Sequence, residues 1–203
     1  MSRGATARLF VAVEVPAAVR EQLAGWARGA AAGVHAAGAP RRLRLLDPET
    51  LHLTLCFVGS RPVEEIATIG STLSECAAHV GELSVGAPLW LPRARPRSLA
   101  IAIHDEGEGL AGLHAAVTDA ISQATAWEPE RRRFRAHVTV ARTSGRASAN
   151  RRGRDQLADG PRLPATPQLR FTAESLTLYR SWLSPAGAAY EVLARSGLSP
   201  SAP

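Results

Sequence analysis

Leu51-His52-Leu53-Thr54-Leu55 and Ala136-His137-Val138-Thr139-Val140 are two copies of one pattern, a histidine and a threonine two apart inside an apolar run. Alternating apolar and polar residues read as a half-buried β-strand, with His52 and Thr54 on one face and Leu51, Leu53 and Leu55 on the other. His137 and Thr139 share a face in the same way. Six His and twelve Thr in 203 residues place only about 0.35 His-x-Thr matches by chance, so the duplication carries information that one copy would not. A single copy is ordinarily half-solvated surface or a satisfied histidine.

Two imidazoles and two hydroxyls on strand faces fit acid-base chemistry at a phosphate. A neutral imidazole takes a proton from water and an imidazolium gives one to a leaving oxygen, and an ordinary pKa of about 6.5 permits both forms near neutrality. Opening a phosphodiester needs both, on opposite sides of phosphorus, because attacking and leaving oxygens lie roughly in line. A threonine hydroxyl two residues along can donate to a non-bridging phosphate oxygen. Zinc and iron sites normally add a third protein ligand, and neither strand offers a carboxylate near its His face, so neither a metal nor another cofactor is expected.

The two motifs sit in a coarse internal repeat. Leu9-Phe10-Val11-Ala12-Val13 reads as a strand, Pro16 suits a first helical position, and Val19, Leu23 and Trp26 recur at helical spacing before the first motif. Leu99-Ala100-Ile101-Ala102-Ile103, then Leu110, Leu113, Val117 and Ile121, repeat that order before the second. This predicts a pseudo-twofold pair of lobes with one His-x-Thr strand each. Val63, Ile66, Ile69 and Leu73 predict a helix after the first motif, followed by a strand at Leu83 to Leu89. Ser144 to Pro167, rich in Gly, Pro, Arg and Ser, reads as a long loop with one helical turn at Gln156-Leu157. Strands are expected at Leu169 to Tyr179 and Ala189 to Leu193. Residues 1–195 read as a single bilobal domain and 196–203 as a disordered tail.

Composition fits a globular protein: 45% of residues are hydrophobic, enough for a sizeable core, and the formal charge is +6. Every basic residue is arginine. Clusters at Arg41-Arg42-Leu43-Arg44, Arg93-Ala94-Arg95-Pro96-Arg97, Arg131-Arg132-Arg133 and Arg151-Arg152-Gly153-Arg154 suit a polyanionic partner through bidentate phosphate contacts, although each alone reads as a solvated loop. Cys56 and Cys76 give no disulfide framework, no run approaches the length of a membrane span, and the N-terminus lacks a signal pattern, so a cytoplasmic monomer is expected. In a regular strand Cys56 shares the face of His52 and Thr54, which raises a thiol nucleophile as a competing idea. Trp26, Trp90, Trp127 and Trp182 are assigned to packing, with Trp182 near enough a strand end to meet a ligand.

These residues resemble the two-histidine (2H) phosphoesterase superfamily and, within it, RNA 2′,3′-cyclic phosphodiesterases once called 2′-5′ RNA ligases. Arg8 to Pro16 is similar to the family's opening strand, Asp47 to Gly59 to its first motif block and Phe134 to Arg142 to its second. Ser175 to Ser181 and Tyr190 to Leu193 are similar to its closing strands. Leu45 stands where an aromatic residue is common, Ala136 where a proline is common, and Ser144 to Pro167 matches poorly. The resemblance implies an α+β fold in which two antiparallel β-sheets face a central cleft, with helices outside. It assigns His52 as proton donor, His137 as proton acceptor, and Thr54, Thr139 and Arg142 to the phosphate, with Phe57 against a nucleobase. Phe57 and Arg142 each lie an odd number of positions past their histidine, which in a regular strand is the wrong face, so a bulge or strand end must intervene. The implied activity is hydrolysis of RNA 2′,3′-cyclic phosphate ends to 2′-phosphomonoesters without metal or cofactor. Ligation through a 2′-5′ bond by the same site, or a non-catalytic RNA-binding module, are the alternatives.

Overall fold

In the computed structural model, residues 4–36, 42–76, 79–92, 96–144, 163–184 and 187–200 are described. The apolar run near the N-terminus forms β1 (Thr6–Glu14). Pro16 then opens α1 (Ala17–Ala36), its carbonyl accepting from the backbone N–H of Val19 and Arg20. β2 (Arg42–Leu45) and a 3₁₀ turn at Pro48–Thr50 lead into β3 (His52–Pro62), the first motif strand. α2 (Glu65–Glu75), β4 (His79–Val80) and β5 (Glu82–Leu91) follow. The second half runs through β6 (Ser98–Asp105), α3 (Gly109–Ala124) and β7 (His137–Ser144), the second motif strand. β8 (Arg170–Thr172), β9 (Ser175–Ser184), β10 (Gly187–Gly197) and β11 (Ser199–Pro200) complete the chain.

The main sheet runs β10-β9-β1-β3-β7-β6-β5-β8, with β2 beside β7. Its centre is the pair β3 and β7, which meet at Leu53 and Val138 alone. The expected α+β class holds, and the two antiparallel halves are continuous through that one pair. The strands that follow each motif change sides. β5 comes after the first motif yet pairs with β6, while β9 comes after the second motif yet pairs with β1.

One buried cluster lies under the helices. Leu23 and Ala27 of α1, Leu73 of α2, and Leu113 and Val117 of α3 share it with Leu9, Val11, Leu53, Leu99 and Val138 of the strands. Leu53 and Val138 are fully buried, and each such side chain contributes about 1.5–3 kcal/mol, so apolar burial holds the join where ladder bonds are few. The opposite face carries both histidines.

Two expectations change. The strand expected from Leu169 to Tyr179 is two, broken at Ala173-Glu174 where the chain passes from the β5 edge to the β1 edge. The tail expected to be disordered from Ser196 continues in β10 to Gly197, and β11 pairs parallel with β4. The backbone N–H of Leu198 donates to the Glu174 carbonyl, fixing that end. Most of the Ser144 to Pro167 loop, with its helical turn at Gln156-Leu157, lies outside the described residues. Its end is tied down by Trp26 Nε1, which donates to the Ala165 carbonyl at 3.0 Å, and by Thr166 Oγ1, which donates to the Gly86 carbonyl at 2.8 Å. Among the described residues no helix is long and apolar enough to cross a membrane.

Candidate active site

The two histidines are held by one device. His52 Nδ1 lies 2.7 Å from the Thr50 carbonyl, and His137 Nδ1 lies 2.7 Å from the Arg135 carbonyl. A carbonyl only accepts, so in each ring Nδ1 carries the proton and Nε2 is left for chemistry. Local structure fixes both carbonyls. Asp47 caps the 3₁₀ turn by accepting from the Glu49 N–H at 2.9 Å, and Arg20 of α1 holds Glu49 at 3.0 Å, which aims Thr50. Before the second motif, Phe134 stacks on His114 of α3 at 4.6 Å.

Leu53 faces Val138, so antiparallel register sets His52 across from Thr139 and Thr54 across from His137. The two imidazoles are diagonal neighbours about the join, on residues roughly 7–8 Å apart in a flat ladder and somewhat closer at Cβ, with room for a phosphate between them. All four motif side chains are half-buried on the face away from the helices.

A bulge follows each motif at the same offset. Val11 pairs with Cys56 and Ala12 with Thr54, which leaves Leu55 unpaired; Leu99 pairs with Ala141 and Ala100 with Thr139, which leaves Val140 unpaired. Each extra residue reverses the strand's parity. Phe57, 50% exposed, and Arg142, exposed, therefore return to the histidine face. The same bulge turns Cys56 into the core, correcting the expectation that it shares the His52 face. Burial pushes its thiol up to about 12, which removes it as a nucleophile.

The surroundings of the two rings differ. Phe10 lies 4.9 Å from His52, Tyr190 meets it edge-on at 5.3 Å, and Tyr179 faces it at 6.0 Å. This burial lowers the His52 pKa to about 4, helped by the charges of Arg142 and His137 and opposed by the bond to Thr50. Across the cleft the β6 residues opposite His137 and Thr139 are Ala102 and Ala100. No aromatic wall lies there among the described contacts.

Glu14 is a residue that sequence reasoning missed. It pairs with His52 across β1 and β3, and its carboxylate accepts from Ser175 Oγ at 2.8 Å, Thr177 Oγ1 at 3.1 Å, Tyr179 Oη at 2.9 Å and Arg195 Nη2 at 2.7 Å. Burial alone would raise its pKa, but the bonds from Arg195, Ser175, Tyr179 and Thr177 outweigh it and the net shift is downward. Burial and the Glu14 bond raise the Tyr179 pKa, so that hydroxyl stays protonated and committed to Glu14. The Tyr179 ring stacks on Phe10 at 5.0 Å and forms one wall beside His52. The pairing of β1 with the late strands was the missing signal.

Trp182 is 42% exposed, with the Arg180 guanidinium 4.7 Å from its ring. Strand parity sets it opposite to Tyr179 and Ser181, away from the histidines. Among the described residues no three His, Cys, Asp or Glu side chains group as a metal site would require.

A family model described as the 2′-5′ RNA ligase superfamily matches residues 34–182. An RNA 2′,3′-cyclic phosphodiesterase of Thermus thermophilus is 30% identical over 204 residues, an alignment covering 94% of this chain and 90% of that protein. A protein of the same name from Archaeoglobus fulgidus is 29% identical, covering 92% and 97%. Among solved structures, the crystal structure of LigT from E. coli complexed with 3′-AMP superposes with a TM-score of 0.72 at 21% identity, covering 96% of this chain and 99% of that one, a likeness of fold.

Proposed function

The chain belongs to the 2′-5′ RNA ligase superfamily, and from that premise we propose that it hydrolyses RNA 2′,3′-cyclic phosphate ends to 2′-phosphomonoesters with two histidines and no metal. The observation that carries this reading is the pair of matched Nδ1 locks, which leave both Nε2 atoms on one face about the Leu53 and Val138 join. In the forward step His137 takes a proton from water as the oxygen bonds to phosphorus. The bond from phosphorus to the 3′ oxygen breaks, and His52 gives that oxygen a proton. The products are a 2′-phosphate and a 3′-hydroxyl, with the proton balance restored through solvent. Thr54, Thr139 and Arg142 bind the non-bridging oxygens. Phe57 offers an exposed ring for base stacking, which needs no sequence preference.

One observation favours the opposite division of labour. In the free protein His52 is neutral at pH 7, the form of a base rather than an acid. A bound phosphate anion stabilises the imidazolium and raises that pKa, which restores His52 as donor. Phosphodiesters with a nitrophenyl leaving group separate the readings, because such a group departs without a proton. If His52 is the acid, His52→Ala regains most of its lost rate on the nitrophenyl ester and His137→Ala does not; the reverse pattern assigns the reverse roles.

The activity itself is tested by incubating the protein in EDTA with an oligoribonucleotide ending in 2′,3′-cyclic phosphate. A 2′-phosphate made by the unaltered protein, and not by His52→Ala/His137→Ala, is expected. A cyclic end left intact while binding persists would favour the binding module, and joining to an added 5′-hydroxyl strand would favour ligation.

A further inference from the structure

Of the four side chains that donate to Glu14, Tyr179 is the one whose ring also faces His52, at 6.0 Å. Glu14 itself is opposite His52 across β1 and β3. A carboxylate beside a histidine ordinarily accepts the Nδ1 proton and stabilises the imidazolium. Here the neutral Thr50 carbonyl fills that place at 2.7 Å. The carboxylate turns to β9 and β10 instead, where Arg195 Nη2 matches its charge at 2.7 Å.

The bond to Tyr179 has a long reach. Tyr179 is opposite Phe10, and Glu14 is four positions further along β1, roughly 13 Å away along a strand. The two side chains must therefore extend toward each other along the sheet. Between Phe10 and Glu14 stands Ala12, fully buried, on the same face because Val11 and Val13 point into the core. Phe10 stacks on the Tyr179 ring at 5.0 Å with 13° between the planes, and Tyr190 meets it edge-on at 6.3 Å. Those apolar contacts let a ring slide or swing; the directional contact is the hydroxyl, 2.9 Å from Glu14 Oε1. Released from Glu14, the half-buried hydroxyl would turn to water for a partner, and water would come with it toward His52.

We propose that Glu14 is a positioning residue for His52. It acts through the Tyr179 hydroxyl, fixing the ring that closes one side of His52 against water, and so sets how readily that imidazole takes up a proton. Its effect on His52 is then opposite in sign to that of an ordinary neighbouring carboxylate. The kinetic consequence rests on the hydrolytic reading; the effect on the ring does not. Burial is the largest cause of the lowered His52 pKa, ahead of the charges of Arg142 and His137, so the rings around His52 outweigh the ions. The titratable and charged groups on its side of the sheet are His137 and Arg142 from β7, Glu14 from β1, Tyr179 from β9, and Tyr190 and Arg195 from β10.

The test follows the His52 titration by NMR in histidine-labelled protein, which needs no turnover. Tyr179→Phe changes no charge and removes the anchor, and should raise the His52 midpoint by about one pH unit toward the ordinary value of about 6.5. Glu14→Ala should raise it as well, although loss of a carboxylate alone lowers a histidine's pKa. Glu14→Gln keeps an oxygen for the hydroxyl and should raise it less. In the Tyr179→Phe background Glu14→Ala should add no further rise, because the anchor is already gone. An unmoved midpoint in Tyr179→Phe, a fall in Glu14→Ala, or equal rises from Glu14→Ala in both backgrounds overturns the proposal. So does a matching movement of the His137 signal, which would mark general loosening of the sheet. In turnover of a 2′,3′-cyclic phosphate, the limb of the kcat/KM profile that reports His52 should move by the same amount. If the unaltered protein turns over no cyclic phosphate, the hydrolytic reading fails while the titration still decides the role of Glu14.

Discussion

The half of the sheet that holds His52 presents aromatic rings and one heavily bonded carboxylate, whereas the half that holds His137 presents alanines and arginines. Both histidines have the same Nδ1 lock and both strands a bulge at the same offset, so the backbone of the motifs themselves does not distinguish them, although β3 has a further irregularity at Val58. The surroundings do. A lock chooses which nitrogen is available, and the dielectric and charge around the ring choose how strongly it holds a proton. Duplicating the first while diverging in the second sets two copies of one motif in different surroundings.

The largest expected effect tests whether the halves are equal partners. Removing either histidine, as His52→Ala or His137→Ala, should lower kcat by about 10² to 10⁴-fold, with the fold retained by circular dichroism. Near-normal turnover by one variant would make the halves unequal in kind and leave a one-histidine mechanism.

The next effect belongs to the His52 half alone. Its folded pKa of about 4 lies below the ordinary 6.5, so the unfolded chain binds the proton more readily. The stabilisation is complete above pH 6.5 and is lost as pH falls from there through about 4, amounting to at most about 3 kcal/mol. Urea unfolding of the unaltered protein and His52→Gln across that window should show the difference narrowing toward acid. Parallel curves would mean that the aromatic wall does not keep His52 neutral.

Glu14 is the third point of contrast. Glu14→Gln should cost about 2 kcal/mol of stability, because charged hydrogen bonds from several donors are lost, while Tyr179→Phe should cost about 1 kcal/mol. A chemical denaturation midpoint unmoved by Glu14→Gln would reduce the cluster to surface chemistry.

The smallest effects sharpen the division between stacking and charge. Arg142→Gln and Phe57→Ala should each raise KM about tenfold, near 1.4 kcal/mol. The Arg142 penalty should shrink as salt screens it and the Phe57 penalty should not. Identical salt dependence would remove the distinction between an electrostatic half and an aromatic one.

Much of this was legible in the sequence. The His-x-Thr duplication marked all four motif residues, and the repeat of strand, helix and motif strand marked β1, α1, β3 and β6, α3, β7. The parity of Phe57 and Arg142 called for a bulge or a strand end if they were to reach the site, and the structure supplies the bulge at Leu55-Cys56 and Val140-Ala141, where two buried neighbours in succession break the alternation. What alternation could not reveal was which way the bulge would send Cys56. Glu14 was invisible for another reason: Ser175, Thr177, Tyr179 and Arg195 become its neighbours only when β9 pairs with β1, and no local pattern encodes a partner so distant. The crossing of β5 and β9 between halves has the same cause, because periodicity identifies a strand without naming its neighbour.

That late pairing also sets a timetable for synthesis. β1 leaves the ribosome before either strand that pairs with it, and β3 soon covers one of its edges, yet Leu9 to Val13 must wait for Leu176 to Arg180 to cover the other. Between the synthesis of β3 and that of β9 an apolar strand therefore keeps an open hydrogen-bonding edge, the kind of edge that recruits other chains. Such distant closure makes folding slow, so the vulnerable moment of this protein falls before it is complete rather than after.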